Sequence, residues 1–146
     1  SGMFGAARGC LAVMAPLDAV DGALARKKGV AGKFGAFLDS VVDRYDEMFL
    51  LAGVLYHFQS QANTLGVMLT YAALCGSVLV SYTRARAEGL GFSGKTGIFS
   101  RIERTIVLIL GLLVNQLLVS VGIIAILANV TAFQRIFFVR KQAKQE

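Results

Sequence analysis

The chain has 146 residues, of which 55% are hydrophobic and 16% are charged, and its formal net charge is +6. Soluble domains carry roughly 25% charged residues, so this composition excludes an ordinary soluble domain and indicates a membrane protein. The basic residues stand beside apolar segments, which is typical of the cytoplasmic ends of membrane helices and argues against nucleic acid as a partner.

Five apolar stretches approach or reach the length that a helix needs to cross the ~30 Å hydrocarbon core of a bilayer. They cover residues 3–25, 34–58, 65–83, 98–114 and 117–139. We therefore predict an all-α fold, a polytopic transmembrane helix bundle with five spans, and a single domain over residues 1–146. In so short a chain the membrane, rather than a globular core, takes up the apolar surface.

Charge is distributed unevenly over the connectors between these spans. Residues 59–63 and 115–116 carry no charge, whereas the other connectors and the carboxyl-terminal end are basic. By the positive-inside rule the basic side is cytoplasmic. Five spans then leave residue 1 on the far side of the membrane, so we expect one further span before it, which would return the amino terminus to the cytoplasm.

Four aspartates stand out in this apolar sequence. Asp18 and Asp21 are three residues apart and Asp39 and Asp43 are four apart, so each pair lies on one face of a helix. An ionised carboxylate at membrane depth costs on the order of several kcal/mol unless something compensates it. Divalent cations between the two faces would do so, and Mg²⁺ suits oxygen ligands and phosphate-bearing substrates.

The two pairs belong to a longer pattern, D-x2-D-G-x2-A-R-x8-G-x3-D-x3-D, which residues 18–43 fill at every fixed position. It resembles the signature of the CDP-alcohol phosphotransferase family, and eight fixed residues over 26 positions make the resemblance specific. The resemblance implies a six-span membrane enzyme, usually a homodimer, that transfers a phosphatidyl-type group from a CDP-linked lipid to an alcohol and releases CMP. Structural ion pairs with Arg26 and Arg44 are the competing interpretation, and they do not explain the complete pattern.

The resemblance also implies roles for single residues, with the active site facing the cytoplasm. Asp43 would be the general base toward the acceptor hydroxyl. Two Mg²⁺ ions, or Mn²⁺, would bind Asp18, Asp21, Asp39 and Asp43, and the cytidine diphosphate of the donor would contact Gly22, Ala25, Arg26 and Gly35. Asp46 and Glu47 lie outside the pattern, and we interpret them as supporting or structural groups.

Basic residues later in the chain indicate the acceptor. Residues 82–88, 101–104 and 133–135 are similar to the branch of the family that makes phosphatidylinositol phosphate or its archaeal ether-lipid counterpart. The resemblance implies that the phosphate of inositol phosphate binds Arg84, Arg104 and Arg135, with Arg86 and Arg101 as neighbours. Cations from three helices favour an anionic acceptor. Glycerol 3-phosphate is the alternative acceptor, and contact with lipid headgroups is the alternative role of the arginines.

Two competing functions stay open. Residues 89–96 match the Walker A pattern of nucleotide-binding P-loops. A P-loop needs a strand before its glycines and a later metal-binding aspartate, whereas a charged segment precedes Gly89 and no Asp follows Asp46, so a flexible cytoplasmic connector is the better interpretation. The other function is that of a non-catalytic membrane subunit that keeps the fold.

Overall fold

The computed structural model describes residues 32–94 and 97–145. Within them it contains no strand and four α-helices, in the order α1 (Lys33–Ser60), α2 (Thr64–Gly89), α3 (Arg101–Leu113) and α4 (Leu117–Gln142). The predicted all-α fold is confirmed for this part of the chain. Outside the described residues lie the predicted span at 3–25 and, with it, Asp18, Asp21, Gly22 and Ala25, as well as Arg26.

The chain divides into two compact units, residues 1–43 and residues 44–146. The described part of the first unit is the beginning of α1, which carries Gly35, Asp39 and Asp43. The second unit contains the rest of α1 and all of α2, α3 and α4. All the candidate acceptor arginines belong to the second unit.

Helices α2 and α4 have the length and composition of membrane spans. Each has 26 residues, which is about 39 Å of helix against the ~30 Å hydrocarbon core. Helix α3 has 13 residues and reaches about 20 Å. Helix α1 has 28 residues, but charged side chains interrupt its apolar sequence between positions 39 and 47. Two helices of the described region are therefore candidate spans, and the total of five stays a prediction.

Large apolar side chains cover the outer surface of the helices. Phe49 on α1 is 67% exposed, Met68 on α2 63%, Leu113 on α3 63% and Ile126 on α4 65%. In water such a surface would be an aggregation hazard, whereas lipid chains solvate it without cost. This exposure supports the predicted membrane location.

Helix α4 packs against both α2 and α3. It approaches α2 closely at Gly76, where a Cβ would lie 2.7 Å from Asn129 Nδ2 and 3.0 Å from Ala128 Cβ. The Asn129 amide donates to the Ala72 carbonyl of α2 at 3.1 Å and to the Ala125 carbonyl of its own helix at 2.7 Å. Small residues and polar side chains that bond across an interface commonly hold membrane helices together.

Helices α2 and α4 run parallel. Asn129 bonds to Ala72, and Arg135, further along α4, bonds to Val80, further along α2. The carboxyl-terminal halves of both helices, which carry the basic residues, therefore lie on the same side. This direction agrees with the predicted common side for the basic residues.

Candidate functional site

Asp39 and Asp43 lie one turn apart on α1, so they share a helix face. Asp39 is exposed and Asp43 is half-buried. In residues 32–94 and 97–145 there is no group of three or more His, Cys, Asp or Glu side chains suited to a metal ion. The pair supplies oxygen donors of the kind that Mg²⁺ and Mn²⁺ prefer, and its predicted counterpart, Asp18 and Asp21, lies outside the described residues.

Gly35, the predicted donor contact, lies in the first turn of the same helix. Its N–H donates to the Gly32 carbonyl at 2.9 Å, and the residue is exposed. Because glycine has no side chain, residue 35 adds no bulk of its own to this face of α1.

Arg104, in the first turn of α3, is buried with its charge matched by Glu47 of α1. Its Nε donates to Glu47 Oε1 at 2.7 Å, and its Nη2 donates to Oε2 at 3.1 Å. The two side chains are 3% and 12% exposed. The remaining nitrogen, Nη1, makes a long contact of 3.5 Å with the Phe99 carbonyl. Two-point pairing fixes the plane of the guanidinium as well as its position.

The start of α3 places Arg104 at this point. Helix α3 begins after Ser100, whose N–H donates to the Glu103 carboxylate at 2.6 Å and whose hydroxyl contacts the same carboxylate. A Ser followed three residues later by Glu is the sequence of a capping box, which satisfies donors at a helix start. The cap therefore uses Glu103, and the charge of Arg104 is matched by Glu47.

Arg135, two turns before the end of α4, is also buried, with 7% of its surface exposed. Its Nη1 donates a hydrogen bond to the Val80 carbonyl of α2. Gly97, in the connector before α3, lies against the same side chain, since a Cβ there would come 3.2 Å from Arg135 Nε. Backbone from α2 and from the connector before α3 therefore lies next to this guanidinium.

Arg84, near the end of α2, is exposed, unlike the buried Arg104 and Arg135. Its Nε donates to Glu88 Oε1 at 3.0 Å, with the side chains 52% and 46% exposed. Exposed pairs at this helical spacing contribute about 0.3–0.5 kcal/mol, so water or a ligand can replace the partner. Arg86 is likewise exposed, and Arg101 is half-buried.

The three principal arginines of the prediction come together. Arg135 lies within electrostatic range of Arg84, Arg104 and Glu88. We call Arg84, Arg104 and Arg135 the arginine cluster; α2, α3 and α4 each contribute one of them. Glu88 and Glu47 are the described carboxylate partners of Arg84 and Arg104. Guanidinium groups match the geometry of phosphate oxygens, so this cluster is suited to a phosphate-bearing ligand.

The residues that match the Walker A pattern follow a helix, because α2 continues to Gly89. The side chain of Gln142, at the end of α4, accepts from the Ser93 N–H at 3.0 Å and donates to the Ser93 carbonyl at 3.2 Å. Lys95 and Thr96 lie outside the described residues. The described residues thus lack the strand before the glycines that a P-loop needs, which supports the connector interpretation.

Comparison with known families agrees with the aspartate pattern. The family model described as CDP-alcohol phosphatidyltransferase matches residues 1–137. The chain belongs to this family. The match covers the aspartate pattern and all three members of the arginine cluster.

Two individual relatives match most of this CDP-alcohol phosphatidyltransferase chain. It is 41% identical over 134 residues to archaetidylinositol phosphate synthase of Pyrococcus horikoshii, covering 90% of this chain and 68% of that protein. It is 44% identical to an uncharacterised Aquifex aeolicus protein, covering 85% of this chain and 63% of the relative. The chain therefore spans a little under two thirds of the length of that relative.

Solved structures of Mycobacterium tuberculosis phosphatidylinositol phosphate synthase resemble the chain. The structure with CDP-DAG bound gives a TM-score of 0.73 at 33% identity and covers 82% of this chain and 65% of that chain. The structure in complex with manganese and citrate gives a TM-score of 0.74 at 32% identity and covers 82% of this chain and 62% of that chain.

The pairing of Glu47 with Arg104 is the feature of the site that the sequence did not assign. The two residues are 57 positions apart, and several other carboxylates and arginines could have formed the pair equally well. The only signal in the sequence was that Glu47 follows Asp43 by four residues, on the same face of α1.

Proposed function

We propose that this chain carries out the transfer of a phosphatidyl-type group from a CDP-linked lipid to a phosphate-bearing alcohol, with release of CMP, in phospholipid synthesis. The observation that carries the proposal is the arginine cluster, which in a family member with the complete aspartate pattern supplies cations for an anionic acceptor. The best candidate acceptor is inositol 1-phosphate, and the names of the Pyrococcus and Mycobacterium relatives support it.

The carboxylates are proposed to hold the metal and the donor. Asp18, Asp21, Asp39 and Asp43 would bind two Mg²⁺ or Mn²⁺ ions, which neutralise the diphosphate of the donor when bound. The manganese complex of the Mycobacterium enzyme supports the use of a divalent cation. The nucleotide of the donor would contact Gly22, Ala25, Arg26 and Gly35, and the CDP-DAG complex of that enzyme supports a donor of this type.

In the proposed reaction the hydroxyl oxygen of the acceptor attacks the lipid-linked phosphorus of the donor, and Asp43 accepts the proton of that hydroxyl. The new phosphorus–oxygen bond joins the lipid phosphate to the acceptor, and the bond to CMP breaks. The arginine cluster holds the phosphate of the acceptor, with Arg86 and Arg101 as neighbours, and so orients the hydroxyl toward the phosphorus.

The proposal also concerns the whole protein. We propose one domain over residues 1–146, five spans in this chain, an active site that faces the cytoplasm, and a homodimer. Two apolar helices of membrane length and the common side of the basic residues support the membrane arrangement.

Glycerol 3-phosphate is the second candidate acceptor, because the arginine cluster recognises a phosphate and both compounds carry one. CMP release from CDP-diacylglycerol, and from an ether-linked analogue, should therefore be measured with inositol 1-phosphate, inositol, glycerol 3-phosphate and serine in turn. The proposal expects release with inositol 1-phosphate above all others. Release with glycerol 3-phosphate alone would support the proposed reaction but refute inositol 1-phosphate as the acceptor. Release with inositol or serine alone would refute phosphate binding by the arginine cluster.

A further inference from the structure

Among the described ion pairs of the arginine cluster, the pair of Glu47 with Arg104 is the shorter and the more buried, and the proposed function gives Glu47 no role. Its carboxylate holds Arg104 at two points, 2.7 and 3.1 Å, in a setting where the guanidinium is 3% exposed. Both residues belong to the second compact unit. The question is whether this pair serves only to neutralise a buried charge.

The donors of Arg104 divide into two groups. A guanidinium has five N–H donors, and Glu47 takes the one on Nε and one of the two on Nη2. In the described part of the chain the other partner of Arg104 is the Phe99 carbonyl, at 3.5 Å from Nη1. One N–H on Nη1 and one on Nη2 are left. We call the edge of the guanidinium between these two nitrogens the free edge. Two parallel N–H groups on one edge match two oxygens of a phosphate.

The charges around Arg104 make its orientation dependent on Glu47. Arg84 and Arg104 both act electrostatically on Arg135, so like charges repel within the cluster. A buried guanidinium that lost its carboxylate would turn toward water or toward other acceptors. Glu47 thus opposes the repulsion and at the same time fixes the orientation of the Arg104 guanidinium.

We propose that Glu47 is a positioning residue for the acceptor: it holds the guanidinium of Arg104 so that the free edge binds the phosphate monoester of the acceptor. This inference rests on the proposed function, because it takes Arg104 as a ligand of that phosphate. Glu47 itself touches neither substrate, and its effect reaches the acceptor through Arg104.

The chain supplies a matched control in Arg84 and Glu88. This is also an arginine of the cluster paired with a glutamate, but the pair is about half exposed. Without its partner Arg84 stays solvated, whereas Arg104 would lose the carboxylate that fixes its orientation in a buried setting. Replacing Glu47 and replacing Glu88 are therefore the same chemical change at a buried and at an exposed pair.

The test is steady-state kinetics of the whole protein in lipid, with CDP-diacylglycerol, Mg²⁺ and a titration of inositol 1-phosphate. The variants are Glu47→Gln, Glu88→Gln, Arg104→Gln and the double variant of Glu47 and Arg104. Glu47→Gln should raise the KM for inositol 1-phosphate about tenfold or more and leave the KM for the donor within about twofold. Glu88→Gln should change the KM for the acceptor and the KM for the donor by no more than about twofold. The double variant should be no worse than Arg104→Gln, because both act on the same contact.

The outcomes separate this inference from the proposed function. If Arg104→Gln raises the acceptor KM and Glu47→Gln does not, or raises the donor KM equally, the positioning role is overturned and the proposed function stands. If Arg104→Gln leaves the acceptor KM unchanged, Arg104 is not an acceptor ligand. The positioning role of Glu47 and the proposed role of Arg104 are then both wrong. If Glu47→Gln does not fold, Glu47→Asp is measured instead, because aspartate keeps the charge on a shorter side chain. The positioning role again requires a rise in the acceptor KM without a rise in the donor KM.

Discussion

The backbone of Gly97 lies directly against the guanidinium of Arg135, with 3.2 Å between Arg135 Nε and the position that a Cβ on Gly97 would take. The same Cβ would come 2.7 Å from Thr131 Cγ2, one turn earlier on α4. Gly97 has a φ of +148°, which residues with side chains rarely adopt. The connector between α2 and α3 can therefore contact Arg135 in this way because residue 97 is glycine.

Replacing Gly97 by alanine should displace Arg135 and weaken acceptor binding. We expect the KM for inositol 1-phosphate to rise about fivefold or more, with the donor KM unchanged, because about 1 kcal/mol of lost contact has that effect. Gly91→Ala is the control: Gly91 also has a positive φ, +87°, but nothing lies within 4 Å of its added Cβ. Equal effects of the two variants would mean that backbone strain, and not the contact with Arg135, is responsible.

The close approach of α2 and α4 at Gly76 should be sensitive to bulk. Gly76→Val would push into Asn129 and Ala128 and should cost about 1–3 kcal/mol of stability, as overpacking does. The measurement is thermal unfolding in detergent. Gly53→Val, on α1 where nothing lies within 4 Å, should unfold at or above the temperature of the parent protein, since valine has a better helix propensity than glycine. A Gly76→Val protein as stable as the Gly53→Val protein would contradict the described packing.

The two hydrogen bonds between Gln142 and Ser93 should restrain the connector after α2. Gln142→Ala removes both, at about 1 kcal/mol each, so limited trypsin digestion at Lys95 should become about 5–30 times faster. Mass spectrometry of the fragments measures this rate. Gln145→Ala is the matched control, since Gln145 is exposed and its described hydrogen bond is made by its backbone N–H. If both variants are cut at the same rate, the side chain of Gln142 does not hold the connector.

Much of the fold follows from periodicity and composition. Helices α2 and α4 begin within one residue of the predicted spans at 65–83 and 117–139, because long apolar runs bounded by polar residues leave few alternatives. They end six and three residues later than those spans. The predicted segment at 98–114 forms a shorter helix, Arg101–Leu113. Ser100 and Glu103 fix its start, and Asn115, with a φ of +58°, follows its end. Capping at the start and turn geometry at the end determine these limits. The apolar pattern of the sequence shows neither of them.

The candidate site was predictable in its residue types but not in its pairings. The sequence indicated three arginines on three helices, and the structure brings them into electrostatic range. It did not indicate that Arg104 is buried on Glu47 while Arg84 stays exposed on Glu88. Pairings of this kind depend on how helices pack, since the charges are common and their partners lie far apart in the chain.

CMP release by the whole protein in lipid shows whether the chain is a catalyst. Parent protein, Asp43→Asn and Ser40→Ala are compared with CDP-diacylglycerol or its ether analogue, Mg²⁺ and inositol 1-phosphate. Ser40 is an exposed neighbour on α1 whose hydroxyl donates to the Ala36 carbonyl at 2.8 Å. The account predicts release by the parent protein and by Ser40→Ala, and a loss of about 100-fold or more in Asp43→Asn. Folded parent protein that releases no CMP, or an Asp43→Asn protein as active as the parent, would contradict it.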